Sequence, residues 1–439
     1  MTLTKREKSA ALPAHLAKYP TPFHVYYEDR LKEDAATLKT ALSSRLPNIG
    51  LYYSAKTNSL LALLRCLVSD GWNIETVCAA DRRQASLAGA KGSQILLNGA
   101  AWTKAGLEEA LLGQRIQRLT VDSLPMAQLL GEALKENGDA ISPLSIALRI
   151  HDGNSHFGFH ADADSLKDAL ARFPKNSVSS LGLHLHSNPG ASVQSLLEIS
   201  LDFKNRTEKL IRAAEMVDSF SAPKISFLDL GGGIDSPYVY RPQPAELAVF
   251  HNPAQAEKFR AEKCERDFSL GELGETVSSV VADTLGKKRA QAWKIFFEPG
   301  RAVCSRALST VIEVRAVKKK FYPEGDVVIT DGNTAILGPL HRGIYPIALP
   351  SSEKGQDVLS MANTFVYGNL PHSGDWLFQS VPLPELTEGD RLLISHTGAY
   401  FLPLEANFGL PRPGIYSADK DVILRAPETE IDPGIRDTV

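Results

Sequence analysis

The chain has 439 residues, 43% of them apolar and 23% charged, with a formal net charge of −3. That length suits one large and one smaller domain, and that charge gives no electrostatic footing for nucleic acid or an anionic membrane. No apolar run approaches the ~18 residues of a membrane span; Met1–Lys8 lacks the apolar segment of a secretion signal; and the four cysteines form no CxxC pair or disulfide framework, which predicts a cytoplasmic setting.

Residues 1–22 are polar and irregular, and Phe23–Tyr27 then reads as a strand. Asp29–Leu42 carries apolar residues at helical spacing. A strand–helix rhythm follows. Strands are predicted at Gly50–Ser54, Asn73–Val77, Gln94–Leu97, Arg118–Val121, Leu144–Ile150, Ser180–His186, Lys224–Leu228 and Lys294–Phe297. Helices are predicted between them, at Leu60–Ser69, Asp81–Ala90, Lys104–Leu112, Leu124–Glu136, Ala163–Arg172, Val193–Ser219 and Leu270–Leu285. Several of the strands are short apolar runs, as strands covered on both faces should be. The fold class is therefore α/β, a (β/α)8 TIM-like barrel over residues 29–298. Asp235–Arg266 interrupts it as a long loop rich in Pro, Tyr and Ala, a lid or a surface excursion. After Phe297 Gly and Pro punctuate short strands at Val303–Val317, Asp326–Thr330, Asp390–His396 and Asp421–Arg425. Residues 299–439 thus read as a mostly β, β-barrel-like domain, which the N-terminal segment 1–28 joins through its strand.

In such a barrel the catalytic residues sit at the C-terminal ends of the strands. Lys56 lies just past the first strand, Glu75 and Cys78 at the second, and Arg149 and His151 at the fifth. His184 and His186 end the sixth, Asp229 and Gly231–Gly233 the seventh, and Glu298-Pro-Gly-Arg301 the eighth. Any one of these is as well explained by a turn or a satisfied core polar group; their gathering at one end is not. Lysine forms Schiff bases with carbonyl compounds. Three glycines let a backbone approach an anion, and barrels bind phosphate after strands seven and eight. Glu298 and Arg301 read either as an ion pair shaping the turn or as groups aimed at a cationic ring nitrogen and a phosphate. His184 and His186 lack an acidic or cysteine neighbour in sequence, so a metal ranks low.

The order of Tyr19-Pro-Thr-Pro-Phe-His-Val-Tyr26, Tyr53-Ser-Ala-Lys56-Thr-Asn58, Gly182-Leu-His-Leu-His186, Gly231–Gly233, Glu298-Pro-Gly-Arg301, Asp331-Gly332 and Gly398-Ala-Tyr400 resembles that of the fold-type III pyridoxal-phosphate enzymes. The resemblance covers roughly residues 19 to 420 and is greatest to the ornithine/diaminopimelate decarboxylases. It implies pyridoxal 5'-phosphate (PLP) as cofactor and a decarboxylase acting through a Lys56 Schiff base and a quinonoid intermediate. It implies that His186 stacks on the pyridine ring, that Glu298 bonds the ring nitrogen, and that Glu75, Asp81 and Arg149 lie near the lysine and cofactor. The phosphate cradle would be Gly231, Gly232, Gly233, Gly300 and Arg301, with Ser187 or Asn188 donating and Tyr400 reaching in from the β domain. Asp331 falls where the family uses an aspartate of a second subunit at the substrate's far end. A homodimer with shared active sites is the implied assembly.

The chain departs from the family at three places. The cysteine that the decarboxylases use as proton donor is replaced in Gly368-Asn-Leu-Pro371-His372-Ser-Gly-Asp375 by Pro371. His372, Asp375 or a water then becomes the candidate acid, histidine being the side chain that exchanges protons near neutral pH. The family's Gly-Ser after the stacking histidine reads Ser187-Asn188-Pro189, and the arginine that diaminopimelate decarboxylases place after Asp-Gly is Gly338, with His341 and Arg342 further on. Arg342 is the candidate partner for a substrate carboxylate. The leading expectation is decarboxylation of an amino acid with a polar or charged side chain. A racemase or epimerase, and a non-catalytic homologue that binds a partner, are the alternatives; the glutamate at 298, where racemases carry arginine, favours decarboxylation.

Overall fold

The computed structural model describes residues 12–187, 195–221, 223–242, 268–323, 325–350, 362–408 and 410–428, with Glu246, Val249, Gln255, Lys258 and Phe259 between. Asn188, Pro189 and the last residues of the chain lie outside that set. The chain divides into two units, one of Lys32–Asp235 and Phe268–Val303, the other of Met1–Leu31, Ser236–Asp267 and Cys304–Val439. The cuts fall a few residues beyond the expected ones, and the long insert groups with the β-rich unit rather than the barrel.

Strands are numbered in chain order, and β1 (Phe23–Tyr26) belongs to the β-rich unit. β2 (Ile49–Ser54), β3 (Asn73–Thr76), β4 (Ile95–Leu97), β5 (Arg118–Val121), β6 (Leu144–Arg149), β7 (Val178–His184), β8 (Ile225–Asp229) and β9 (Lys294–Phe297) close into a parallel barrel. Closure is through β2 and β9, with Leu51 opposite Phe297. Tyr52, Leu96, Ala147, Phe227 and Phe296 form a buried cluster. Two glycines make room for its rings. A Cβ on Gly50 would lie 2.4 Å from the Phe296 ring, and one on Gly182 would lie 2.2 Å from that of Phe227. The guanidinium of Arg118 sits 3.3 Å from the Phe296 ring centroid and 4.2 Å from that of Phe227. Its Nη1 donates to the Tyr52 hydroxyl at 3.3 Å.

The two long helices, Leu196–Phe220 and Leu270–Ala292, each open on a capping box, Ser195 with Glu198 and Ser269 with Glu272. Each box satisfies two orphan N–H groups and contributes about 1 kcal/mol. The second helix was expected to end at Leu285. It continues because Gly286 takes a φ of 72° at a kink and the chain re-enters the helix. Among the described residues no helix is long and apolar enough to cross a membrane.

The β-rich unit contains β10 (Leu308–Tyr322), β11 (Gly325–Thr330), β12 (Ile347–Ala348), β13 (Ala362–Tyr367), β14 (Trp376–Leu383), β15 (Arg391–Ile394), β16 (Gly414–Ser417) and β17 (Ile423–Arg425). The main path of its sheet runs β14-β13-β11-β10-β1-β16-β17. The N-terminal strand joins this sheet as expected, antiparallel to β10 and parallel to β16. The strand expected from Val303 begins later: Arg301–Cys304 is a helical turn and Ser305–Ala307 a 3-10 turn. The sequence pattern did not reveal β12, β13, β14 or β16. Part of the insert is anchored in this unit, where the Ile344 N–H donates to the Tyr240 carbonyl at 2.8 Å.

Candidate active site

Lys56 lies on a single 3-10 turn, Ala55–Thr57, directly after β2. Its ammonium is 3.5 Å from Glu75 Oε1, and the other oxygen of Glu75 accepts the Ser54 hydroxyl at 2.6 Å. Glu75 is buried at the end of β3, so these polar partners offset the cost of desolvating its carboxylate. The turn after β9 presses on the lysine turn: Ser54 N–H donates to the Pro299 carbonyl, and a Cβ on Gly300 would stand 2.1 Å from Thr57 Oγ1. Glycine is the residue that fits there.

Glu298 follows β9 and is buried. The Asn98 amide donates to both of its oxygens, at 3.1 Å each. His184 Nε2 stands 3.5 Å from Glu298 Oε1. Asp229, at the end of β8, accepts the Gly231 N–H at 3.0 Å. One ligand atom from each of His184, Asp229 and Glu298 lies within 4.8 Å of the others, so the fold brings to His184 the acidic partners that its sequence neighbourhood lacks. Burial first, and then the neighbouring Glu75, push the Glu298 carboxyl up to about 8. Burial and Glu298 push Asp229 up to about 7. Burial holds His184 down to about 3, so it is neutral. Arg149, at the end of β6, has its guanidinium 4.4 Å from the Phe157 ring centroid. Burial depresses its pKa, and Glu298 is the first of the charges that raise it.

Of the two readings of Glu298 and Arg301, the ion pair between them does not form. Arg301 Nε pairs with Asp235 at 3.0 Å. Gly231 and Gly233 take positive φ, 64° and 85°, where a side chain would be strained. Their loop is already partly occupied. The Gly232 N–H donates to His186 Nδ1 at 2.9 Å, which puts that ring's proton on Nε2, and burial keeps the ring neutral. Ser187 donates its hydroxyl to Asp202 at 2.6 Å. Arg206 holds the loop from behind. It donates to the carbonyls of Leu230 at 2.9 Å, Gly232 at 2.6 Å and Ser187 at 3.2 Å, and it pairs with Asp202. Asp81 accepts the Val77 N–H at 3.1 Å, and His151 is taken up by its own loop, bonding the Ser155 carbonyl at 2.6 Å. Cys78 is an exposed free thiol.

Asn98 and Arg206 were missed in the sequence. Asn98 directly follows β4, so the rule that pointed to Lys56 and Glu298 points to it as well. Arg206 lies inside a helix and carries no such signal.

The remaining candidates belong to the β-rich unit. Asp331 accepts from Thr21 at 2.6 Å, Arg315 at 2.9 Å and the Glu313 N–H at 2.8 Å. Asp375 is buried and accepts from the Thr334 N–H and hydroxyl and from the Leu370 N–H, at 2.7–2.8 Å. Both carboxylates thus have structural partners. His372 is exposed, its Nδ1 accepting the Gly374 N–H at 3.0 Å, and Arg342 is exposed too. Tyr400 is half-buried at a φ of 70°, in the left-handed region that few non-glycine residues adopt.

Comparison with known proteins places these features in a family. Residues 29–305 match the pyridoxal-binding domain of the pyridoxal-dependent decarboxylases, and residues 238–398 match their C-terminal sheet domain. The chain is 25% identical to the diaminopimelate decarboxylase of Bacillus subtilis over 91% of its length and 86% of the relative's. It is 26% identical to that of Campylobacter jejuni, over 89% of each. In structure it is similar to the diaminopimelate decarboxylase of M. jannaschii, with a TM-score of 0.77 at 20% identity over 97% of this chain and 93% of the other. It is also similar to the Helicobacter pylori enzyme complexed with L-lysine, with a TM-score of 0.72 at 21% identity over 94% and 96%. With its closed barrel, its β-rich unit and both domain matches spanning most of the chain, this protein belongs to the pyridoxal-dependent decarboxylase family.

Proposed function

We propose that this protein decarboxylates an amino acid with a polar or charged side chain, with PLP as cofactor and Lys56 as the residue that joins it. The observation that carries the proposal is the set gathered at one end of the barrel. A lysine lies beside a buried glutamate, a second buried glutamate is held by a neutral amide, and a glycine loop lies against the second, the Glu298 N–H donating to the Gly231 carbonyl at 2.9 Å. These residues fit PLP. A Cβ on Gly232 would lie 2.7 Å from the Glu298 carbonyl and 3.2 Å from the His186 ring, so the cradle admits no side chain there. When bound, PLP supplies the electron sink that loss of carbon dioxide needs.

The chain's own groups divide the remaining work. Glu75 holds the Lys56 ammonium in place and stabilises its charge. Glu298 offers a carboxylate to a ring nitrogen, and His186, kept neutral, offers a flat apolar face without a competing charge. Arg301 and the glycine backbone offer positive ends to a phosphate. His372, which is exposed, is the candidate proton donor; Asp375, which already accepts three hydrogen bonds, is the weaker one. Arg342 is the candidate partner for a charged substrate end. The assembly proposed is a homodimer in which the partner subunit supplies His372 and Arg342. A cytoplasmic setting agrees with the exposed free thiol of Cys78.

The test is direct. The purified protein should take up PLP with a visible absorbance band that Lys56→Ala abolishes, and a screen of amino acids should find one that releases carbon dioxide. His372→Ala should slow that turnover while leaving the band intact. No band on adding PLP to the wild type would sink the reading, and unchanged turnover in His372→Ala would remove that histidine from the reaction.

A further inference from the structure

Glu298 is a buried carboxyl in an unusual setting. Its closest polar partners are an uncharged amide, Asn98, at 3.1 Å from both oxygens, and an uncharged imidazole, His184, at 3.5 Å from one of them. Neither ring nitrogen of His184 has a hydrogen-bond partner among the described residues, although the ring is fully buried. A buried polar group left unpaired costs free energy, so a rotation that brings Nε2–H onto Glu298 is favoured. Asn98 is only partly buried and can donate from outside the packed core.

The charged groups around Glu298 are Lys56, Arg149 and Arg118 on the positive side and Glu75 and Asp229 on the negative. Burial and the two acids favour the protonated carboxyl. Donors to both oxygens favour the ionised one, since a protonated oxygen has to donate rather than accept. A charged donor in the place of Asn98 would also favour the ionised form, but it would neutralise the pull of the carboxylate on a cation. A neutral donor orients the carboxylate and leaves that pull intact.

We infer that Asn98 and His184 are positioning residues for Glu298, two uncharged donors that aim its carboxyl and favour its ionised form over the protonated one, and so set its hold on the ring nitrogen of the cofactor. This inference rests on the decarboxylase reading above. With the cofactor bound, one proton would be shared between the carboxyl and the nitrogen, and the two donors would favour leaving it on the nitrogen.

The experiment is a PLP titration of the cofactor-free protein, read by the visible band and by the pH at which that band changes. Asn98→Ala should weaken PLP binding by roughly 10- to 100-fold, the range expected for a hydrogen bond to a charged group. Asn98→Asp, which keeps the shape and replaces the donor, should weaken it further. His184→Phe should shift the pH midpoint of the band in the same direction as Asn98→Ala. The deciding comparison is a double-mutant cycle with Glu298→Gln. If Asn98 acts through Glu298, its substitution should cost little in that background. An equal cost in both backgrounds would make Asn98 structural and overturn the inference, as would Asn98→Asp binding PLP like the wild type. A zinc ion held in equimolar amount by the cofactor-free wild type and lost in His184→Phe would also overturn it, by assigning the cluster to a metal. A wild type that binds no PLP would overturn the decarboxylase reading and this one together.

Discussion

Two carboxyls, Asp229 and Glu298, are packed against each other at one end of the barrel, and their burial makes stability depend on pH. In the folded protein they ionise at about 7 and about 8, well above the ~4 of an unfolded carboxyl. The folded state therefore binds more protons than the unfolded state between those limits, and stability falls as pH rises through them. His184 acts in the opposite sense. Its folded pKa of about 3 lies below the ~6.5 of an unfolded histidine, so its contribution is lost as pH falls below that value. The window from pH ~6.5 to ~8 isolates the carboxyls. There the thermal midpoint of the cofactor-free wild type should drop with rising pH, and the drop should be shallower in Glu298→Gln. Equal slopes for the two proteins would show that Glu298 does not titrate in this window.

The same residues show what could be read one position at a time. Lys56, Glu75, Glu298 and the glycines stand at strand ends, and strand ends follow from local alternation of apolar runs. The partners of those residues do not. Asn98 meets Glu298, and His184 meets Asp229, only because the barrel closes, and no local pattern encodes which strand ends will face each other. The reading of Glu298 and Arg301 as an ion pair across their short turn, one of the two open in the sequence, failed for this reason. Each found a partner from elsewhere in the barrel unit, Asn98 for one and Asp235 for the other.

At the scale of elements, the helix Leu196–Phe220 does more than cover the barrel. Through Arg206 it gathers the carbonyls of the β7 and β8 loops onto one buried guanidinium. Removing one partner of a buried pair leaves the other uncompensated. Arg206→Met should destabilise the fold by about 3 kcal/mol or more and weaken PLP uptake, measured by thermal denaturation and by titration. A variant that loses neither would show that the glycine loop holds its shape unaided. The eight barrel strands were legible through the alternation of strand and helix, several of them being short apolar runs. β14 was not, because Pro382 breaks the strand signal. The proline is tolerated because β14 ends the sheet path, where a missing N–H breaks no ladder. β16 is four residues long and its neighbour β1 lies at the other end of the chain, so nothing local announces it.

At the scale of the whole molecule, the proposed assembly predicts complementation. On the proposed roles Lys56→Ala would lack the cofactor anchor and His372→Ala the proton donor, and in a dimer with shared sites the two defects would fall on different subunits. Mixing the variants under conditions of subunit exchange should restore about a quarter of wild-type turnover, since half the dimers are hybrids and each hybrid has one intact site. No recovery, with a dimer confirmed by light scattering, would mean that each subunit completes its own site.

The pairing of β1 has a consequence for how the protein is made. The strand Phe23-His-Val-Tyr26 leaves the ribosome before the barrel does, yet its neighbours are β10 and β16, with Tyr26 opposite Leu308 and Ser417. All of the barrel is synthesised in between, a delay of roughly half a minute at ordinary rates of translation. During that interval the strand has neither edge covered, and its sheet is completed only when β16 and β17 arrive.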